Sequence, residues 1–322
     1  MAKHPFLPQS LRRTIRVRPA AQRAVWALEA GLIGTVWTLL GALPPDVASR
    51  LGRRLLRFVG PRLRKHEHVR RNLAIAFPEL SAERRAALGR EVWGNLGAIL
   101  GEFPHLASIA ANLAHHVEVE GSPQAVLTAG QPVVFVTAHV GSWDLAPLGV
   151  KDFSLPLTVI FTPESNPFLD RFIRRFREPL DCTLLDRNRS LRTLLRELAA
   201  GHSIGIVADH RVDDGEPIPF FGVPTPTTLV PAKLALRFGC ELVPIRVERL
   251  RDTRFRVTIT EPIRPADPSA SPREQARQMT RDMNARFEEW IRARPEQWVC
   301  TARRWPKPPK KPKLAASAVR SS

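Results

Sequence analysis

The stretch PVVFVTAHVGSWD, residues 132–144, is the part of the sequence that indicates the fold most clearly. Its first half is an uninterrupted apolar run rich in Val, which is typical of a strand buried on both faces. His139 follows where this run ends and a loop begins, and Asp144 lies five positions further on. In open α/β sheets, ligands bind outside the carboxyl ends of the strands. The pattern therefore predicts a buried strand whose end presents an imidazole and a carboxylate.

Similar apolar runs recur along the chain and alternate with segments of helical periodicity. The expected strands are residues 155–162, 182–186, 203–210, 241–247 and 256–263, and the expected helices are residues 168–178, 190–200, 229–238 and 272–293. Continuous apolar strands separated by helices are typical of a sheet that is covered on both faces. We therefore expect an α/β fold with a mostly parallel central sheet flanked by helices.

Residues 24–45 form a second apolar segment, close to the N-terminus. They begin with twenty residues that contain one charged side chain, that of Glu29, which is long enough to cross a bilayer. Trp26 and Trp37 are residues that membrane interfaces favour. The sequence predicts an N-terminal membrane helix here, and a buried helix of a soluble core is the alternative.

Composition divides the rest of the chain into three parts. Residues 1–23 form a basic lead and residues 306–322 form a Pro/Lys-rich tail, and both are expected to be disordered. Residues 46–305 are expected to form the folded domain. Within it, residues 51–65 alternate apolar and Arg side chains at helical spacing, which is typical of a helix lying in the head-group plane.

The 322 residues include 49 Lys and Arg against 31 Asp and Glu, so the formal net charge is +18. Nearly all of the excess lies in residues 1–28, 50–71 and 303–322, and such clusters suit an anionic surface, either lipid or nucleic acid. Nine basic residues follow the apolar segment and six precede it, which favours a cytoplasmic body. Three scattered cysteines fit a reducing compartment rather than a disulfide framework.

His139 and Asp144 are the strongest catalytic candidates. A carboxylate can hold one ring nitrogen of a histidine, so that the other nitrogen accepts a proton from an alcohol. The alternative is a structural histidine in a loop. Ser142 does not lie in a G-x-S-x-G nucleophile motif. Asp209 and His210 add to the polar residues near strand ends, but no recognised ligand spacing occurs, and no metal is expected.

The H-x4-D pattern at a strand end resembles the motif of the glycerolipid acyltransferase superfamily. Further blocks in chain order resemble the lipid A late acyltransferases, the lauroyl and myristoyl transferases of lipopolysaccharide assembly. These blocks are RRNLAIAFPELS (70–81), GEFPHL (101–106), NPFLD (166–170), LLDRN (184–188), GIVADHR (205–211), PFFGVPTPTT (219–228) and RPEQWV (294–299). The resemblance covers roughly residues 25–305.

This resemblance implies a membrane-bound O-acyltransferase domain on the cytoplasmic side of the inner membrane. The acyl chain would come from acyl carrier protein and pass to the hydroxyl of a hydroxyacyl chain on an anionic, Kdo-bearing lipid A precursor, without a cofactor. His139 would be the general base, and Asp144 would orient it.

The resemblance also implies residues that bind the substrate. They are Glu102, Asn166, Arg187, Asp209 and Arg211. Arginine suits an anionic head group because its guanidinium forms paired hydrogen bonds with phosphate and carboxylate. The thioester carbonyl becomes an oxyanion during transfer, and the candidate donors to it are Arg187 and the amides of Gly141 and Ser142.

Two alternatives stay open at this point. An enzyme that uses acyl-CoA and another glycolipid, such as phosphatidylinositol mannoside, needs the same chemistry with a different acceptor. A membrane-tethered nucleic-acid-binding protein accounts for the charge. However, the basic residues avoid the sheet region and no binding motif is present, so no nucleic-acid partner is expected.

Overall fold

The computed structural model describes residues 19–121, 131–153, 155–187 and 191–306. Within these residues the chain has the expected α/β fold, with a mostly parallel sheet flanked by helices. Residues 1–18 of the basic lead and residues 307–322 of the tail lie outside the described residues, so the expectation of disorder there stays a prediction.

The helices and strands of the described residues follow in chain order. The helices are α1 (Pro19–Gly41), α2 (Pro45–Val59), α3 (His66–Ala76), α4 (Ala82–Glu102), α5 (Leu106–Ala111), α6 (Leu113–His116), α7 (Pro167–Arg177), α8 (Leu191–Ala199), α9 (Val230–Phe238) and α10 (Pro272–Ala293). The strands are β1 (Val117–Glu120), β2 (Val134–Thr137), β3 (Leu157–Phe161), β4 (Thr183–Asp186), β5 (Ser203–Val207), β6 (Glu216–Phe220), β7 (Val223–Thr227), β8 (Leu242–Arg251) and β9 (Arg254–Ile259).

Seven strands form the main sheet in the order β1-β9-β8-β2-β5-β3-β4. Strands β8, β2, β5, β3 and β4 are parallel to one another, whereas β9 is antiparallel to β8 and β1 is parallel to β9. The carboxyl ends of five strands therefore share one edge. The strands that follow β2 in the chain lie on both of its sides, and such a switch point creates a crevice at that edge.

Buried apolar side chains cover both faces of this sheet. Val134 and Val136 of β2 belong to one core cluster, and Phe135 between them belongs to the other. This alternation follows from the pleat, which directs successive side chains to opposite faces. Burying each of these side chains contributes about 1.5–3 kcal/mol relative to its exposure. The apolar run that predicted β2 is thus the hydrophobic centre of the domain.

The sequence did not predict β1 or the hairpin of β6 and β7. In the hairpin, Pro217 lies opposite Pro226 and Pro219 lies opposite Pro224. Proline cannot donate a backbone hydrogen bond, so a proline-rich run argues against a strand. Here the prolines occupy alternate pairs, which leaves the N–H groups of the intervening residues for the ladder.

Helix α1 covers residues 24–41 of the predicted membrane helix and ends at Gly41, before residues 42–45. It begins at Pro19, so residues 19–23 of the lead are helical rather than disordered. Trp37 attaches it to the domain, because its Nε1 donates to the carbonyl of Leu100 at 3.0 Å and its ring packs against Phe103. The outer face is exposed and apolar, at Leu28, Leu32, Val36 and Leu39. By length and composition α1 is able to cross a membrane. With Leu28 74% exposed, it is not the buried core helix that was the alternative.

Helix α2 repeats this pattern beside α4. Its exposed apolar side chains are Val47, Leu51, Leu55 and Phe58, which have the same spacing as the four on α1. Arg50 and Arg57 of the same helix are about half exposed. A helix that exposes both apolar and basic side chains is typical of helices that lie at a membrane surface.

Candidate active site

His139 and Asp209 meet at the carboxyl edge of the sheet because of strand register. Thr137, the last residue of β2, pairs with Val207, the last residue of β5. His139 lies two positions after Thr137, and Asp209 lies two positions after Val207. His139 Nδ1 donates to Asp209 Oδ1 across 2.6 Å, since an ionised carboxylate only accepts. This bond fixes the neutral ring as the tautomer with its proton on Nδ1, which leaves Nε2 as a proton acceptor.

Burial and mutual charge set the ionisation of the pair. Burial raises the pKa of Asp209, but the charge and hydrogen bonds of its neighbours outweigh burial and lower this pKa to about 2. Burial lowers the pKa of His139, but the charge and hydrogen bond of Asp209 outweigh it, so that this pKa lies above its ordinary value. Asp209 is therefore ionised at neutral pH, and it stabilises the protonated form of His139.

Asp144 does not form the hydrogen bond with His139 that its spacing suggested. Its Oδ1 accepts from Nε of Arg177 at 2.9 Å and lies 2.8 Å from Nη2 of the same side chain. A 3₁₀ helix over Trp143–Gly149 directs Asp144 toward α7, which carries Arg177. The structure corrects the expected pairing: Asp209, rather than Asp144, accepts from Nδ1 of His139, and Asp144 contributes negative charge nearby that raises the pKa of His139.

The loop after His139 is fixed by backbone bonds to the segment that follows α10. Gly141 has a φ of +61°, and a Cβ there would lie 2.1 Å from the carbonyl oxygen of Val247. Its N–H donates to the carbonyl of Gln297 at 3.1 Å. The Gly141 amide is therefore occupied and is not the oxyanion donor that the sequence suggested.

Glu102 and Ser142 belong to a buried network behind this loop. Both carboxylate oxygens of Glu102 accept from the Arg249 guanidinium, and the carboxylate also accepts from the hydroxyls of Ser49 and Ser142. Glu102 and Ser142 are each 1% exposed. The expected substrate contact of Glu102 is corrected accordingly, because its oxygens hold α2, α4 and β8 together. The Ser142 hydroxyl is likewise committed.

Asn166 and Arg211 also lie outside the cavity lining. Asn166 caps the N-terminus of α7 by accepting from the N–H of Phe168 at 3.0 Å, and its amide donates to the carbonyl of Trp26 at 2.9 Å. It thus joins α1 to α7, which is a structural task. Arg211 pairs with Asp213 at 2.5 Å. These contacts do not place either residue against the reacting groups.

A cavity of about 600 Å³ opens beside His139. Its polar lining includes His139, Asp144, Arg177, Arg187 and His210. The rest of the lining is mostly apolar and comes from both faces of the sheet. It includes Phe135, Val136, Trp143, Ala146, Pro147, Val150, Leu157, Val159, Ile160, Leu180, Cys182, Leu184, Leu194, Ile206 and Val230.

The cavity lies where β3 and β5 separate. Their pairing ends at Val159 and Gly205, whereas β5 stays paired with β2 as far as Val207. Ile160 and Phe161 beyond the last pair both line the cavity. An elongated apolar ligand therefore has space that begins at the imidazole and continues into the sheet.

The sequence missed two residues of this site. Neither Arg177 nor Trp298, whose Nε1 donates to Asp209 Oδ2 at 3.0 Å, was among the predicted site residues. The position of Trp298 in the block RPEQWV was the available signal. Across the described residues, no group of three or more His, Cys, Asp or Glu side chains has an arrangement that could hold a metal ion.

The model of a family described as bacterial lipid A biosynthesis acyltransferase matches residues 21–307. No curated protein matches the chain.

Proposed function

The chain belongs to the bacterial lipid A biosynthesis acyltransferase family, and it is therefore an acyltransferase; we propose that it moves a fatty acyl chain from acyl carrier protein to a hydroxyacyl chain of a Kdo-bearing lipid A precursor. His139 is the general base in this proposal, and Asp209 orients it. The supporting observation is the 2.6 Å hydrogen bond from His139 Nδ1 to Asp209, together with the mostly apolar cavity that His139 lines.

In the proposed acyl transfer, Nε2 of His139 acts as the proton acceptor. This nitrogen takes the proton of the acceptor hydroxyl while the oxygen attacks the thioester carbonyl, which forms a C–O bond and an oxyanion. Collapse of that intermediate breaks the C–S bond, and the imidazolium returns its proton to the leaving thiolate. Asp209 stabilises the imidazolium between these steps. A histidine base contributes about 10²–10⁴-fold to such a rate.

Arg187 is the proposed donor to the oxyanion or to the anionic head group. It follows β4, is exposed, and lines the cavity that His139 also lines. Arg177 is less available, since its guanidinium is paired with Asp144. With the Gly141 amide occupied as well, the Ser142 amide is the other donor that the sequence suggested.

The apolar part of the cavity is the proposed site of the acyl chain. Its lining of Val, Leu, Ile and Phe side chains offers contacts that favour methylene groups over water. A volume of about 600 Å³ lies in the range of small-molecule sites. Because β3 and β5 separate beyond Val159 and Gly205, the acyl chain has space between these strands and does not have to lie on the protein surface.

The exposed faces of α1 and α2 are the proposed membrane contact. Four large apolar side chains on each helix face solvent in the isolated chain, and arginines flank those of α2. Burying them in the acyl region of a leaflet, with the arginines at anionic head groups, is favourable. We place the domain on the cytoplasmic side of the inner membrane on this basis and on the excess of positive charge that follows α1.

A transfer assay with graded substrates tests the proposal. Thioesters of acyl carrier protein and of coenzyme A, each with several chain lengths, are offered with a Kdo-bearing lipid A precursor or with phosphatidylinositol mannoside. We expect product from the carrier-protein thioesters and the lipid A precursor. Product only from coenzyme A thioesters and the mannoside would establish the alternative acceptor, and no product from any pair would refute acyl transfer.

A further inference from the structure

The segment after α10 contacts the active-site loop along both of their backbones. Val140 and Trp298 form an antiparallel bridge. The N–H of Gly141 donates to the carbonyl of Gln297, and the N–H of Val299 donates to the carbonyl of His139 at 2.8 Å. The loop that carries the base is therefore held in place by a short segment from the far end of the domain.

Trp298 adds a side-chain bond to this contact. Its indole Nε1 donates to Asp209 Oδ2 at 3.0 Å, while Asp209 Oδ1 accepts from His139. Trp298 is 1% exposed and Asp209 is 4% exposed. Each oxygen of the carboxylate thus has one donor, and the carboxylate plane is fixed from two sides.

The geometry points to Trp298 as a positioning residue for acyl transfer, acting through the Asp209 carboxylate on the imidazole of His139. This inference rests on the proposed function, because it assumes that His139 is the base. Without the indole donor, the carboxylate would keep its bond to His139, but its plane would no longer be fixed from the second side. It would also hold more of its negative charge toward His139 and bind the imidazolium proton more tightly.

Other charged and titratable groups lie near His139 and Asp209 and also interact with the charges of this pair. They are Asp144 beside His139, and His210, Cys300 and Arg304 beside Asp209. A variant that tests Trp298 has to leave these groups in place. Trp298→Phe does so, because it removes the indole N–H and keeps an aromatic ring in the core.

Trp305 provides a matched control in the same aromatic cluster. Both indoles pack against Phe220 and Phe221, and both are nearly fully buried. Within the described residues, Nε1 of Trp305 has no hydrogen-bond partner. Trp305→Phe therefore makes the same change in size without removing a bond to Asp209.

The first test compares the transfer kinetics of the two variants with those of the wild type. We expect Trp298→Phe to lower kcat about tenfold with little change in KM, since the lost bond is to a charged group. The acid limb of its pH profile shifts to higher pH, because His139 binds its proton more tightly. Trp305→Phe keeps the wild-type profile.

The second test does not need acyl transfer. Diethyl pyrocarbonate modifies neutral imidazole, so the rate of His139 labelling against pH, read by mass spectrometry of its peptide, reports the titration of that ring. The Trp298→Phe curve should move to higher pH and the Trp305→Phe curve should not. If the two variants give the same kinetics and the same labelling curves, Trp298 is a packing residue and the inference is wrong. Failure of the wild type to transfer any chain would instead refute the proposed function.

Discussion

His139 and Asp209 are 70 residues apart in the chain, yet Nδ1 of one donates to Oδ1 of the other across 2.6 Å. The contact exists because β2 and β5 are parallel neighbours in register. Asp144, which is close to His139 in sequence, pairs with Arg177 instead. The carboxylate that accepts from His139 is thus supplied by the neighbouring strand of the sheet.

Asp209→Asn should lower kcat by about 10⁴-fold, in line with the loss of tautomer control in histidine–aspartate pairs of other enzymes. The amide keeps the shape of the side chain but no longer fixes the ring or stabilises the imidazolium. Asp144→Asn should cause a smaller loss, because its partner is Arg177. Steady-state transfer rates of purified variants with matched circular dichroism decide this. A larger loss in Asp144→Asn would return the orienting role to Asp144.

Transfer should depend on pH through His139. The base has to be neutral, and although burial lowers its pKa, Asp209 raises it above the ordinary value of 6.5. The kcat/KM of the wild type should therefore fall as the pH drops through a pKa higher than 6.5. In Asp209→Asn the residual activity should show this fall at a lower pH, since burial then acts without the carboxylate. An unchanged acid limb in that variant would show that another group controls it.

Cys182→Phe should shorten the acyl chains that the protein transfers. Cys182 lines the apolar cavity, and burial raises the pKa of its thiol to about 11, so that the group is neutral and serves as part of the wall. Each methylene that no longer fits should reduce kcat/KM about fourfold. Competition between thioesters of graded length measures the preference.

Cys240→Phe is the control for this substitution, because Cys240 is also partly buried but does not line the cavity. It should leave the chain-length preference unchanged. If Cys182→Phe leaves the preference unchanged as well, or if both variants alter it equally, the acyl chain does not occupy this cavity.

Glu102→Gln should destabilise the fold by about 3–5 kcal/mol, because it leaves the buried guanidinium of Arg249 without a counter-ion. Denaturant unfolding measures this, and Glu118→Gln, which alters an exposed pair with Arg256, should show little change. At temperatures where Glu102→Gln is folded, its KM for the acceptor should equal that of the wild type. Normal stability with a raised KM would make Glu102 a substrate-binding residue after all.

Local pattern was enough to predict much of this fold. The apolar runs that predicted β2, β3, β4, β5, β8 and β9 all form strands of the sheet, and the helices between them begin and end close to the expected residues. Strands β2, β3, β5 and β8 are largely buried. Burial explains this success, since a strand covered on both faces has to be apolar throughout. The position of His139 at a strand end follows from the same pattern.

Pairing across the sheet was not predictable in the same way. Nothing in the residues around His139 states that β5, rather than β3, is the neighbour of β2, so Asp209 could be placed near the site but not against the ring. The bond from Trp298 depends on a segment 89 residues beyond Asp209. The hairpin of β6 and β7 was missed because its prolines argue against strands until their alternate pairing is known.

The most direct test of His139 as the general base is the rate of acyl transfer by His139→Ala, compared with His202→Ala. His202 also pairs with a carboxylate, that of Glu197 at 2.8 Å, but it lies outside the cavity lining. We expect His139→Ala to be folded, to bind vesicles of anionic lipid and to transfer no measurable acyl chain, while His202→Ala transfers at the wild-type rate. Transfer by His139→Ala at the wild-type rate would show that His139 is not the general base.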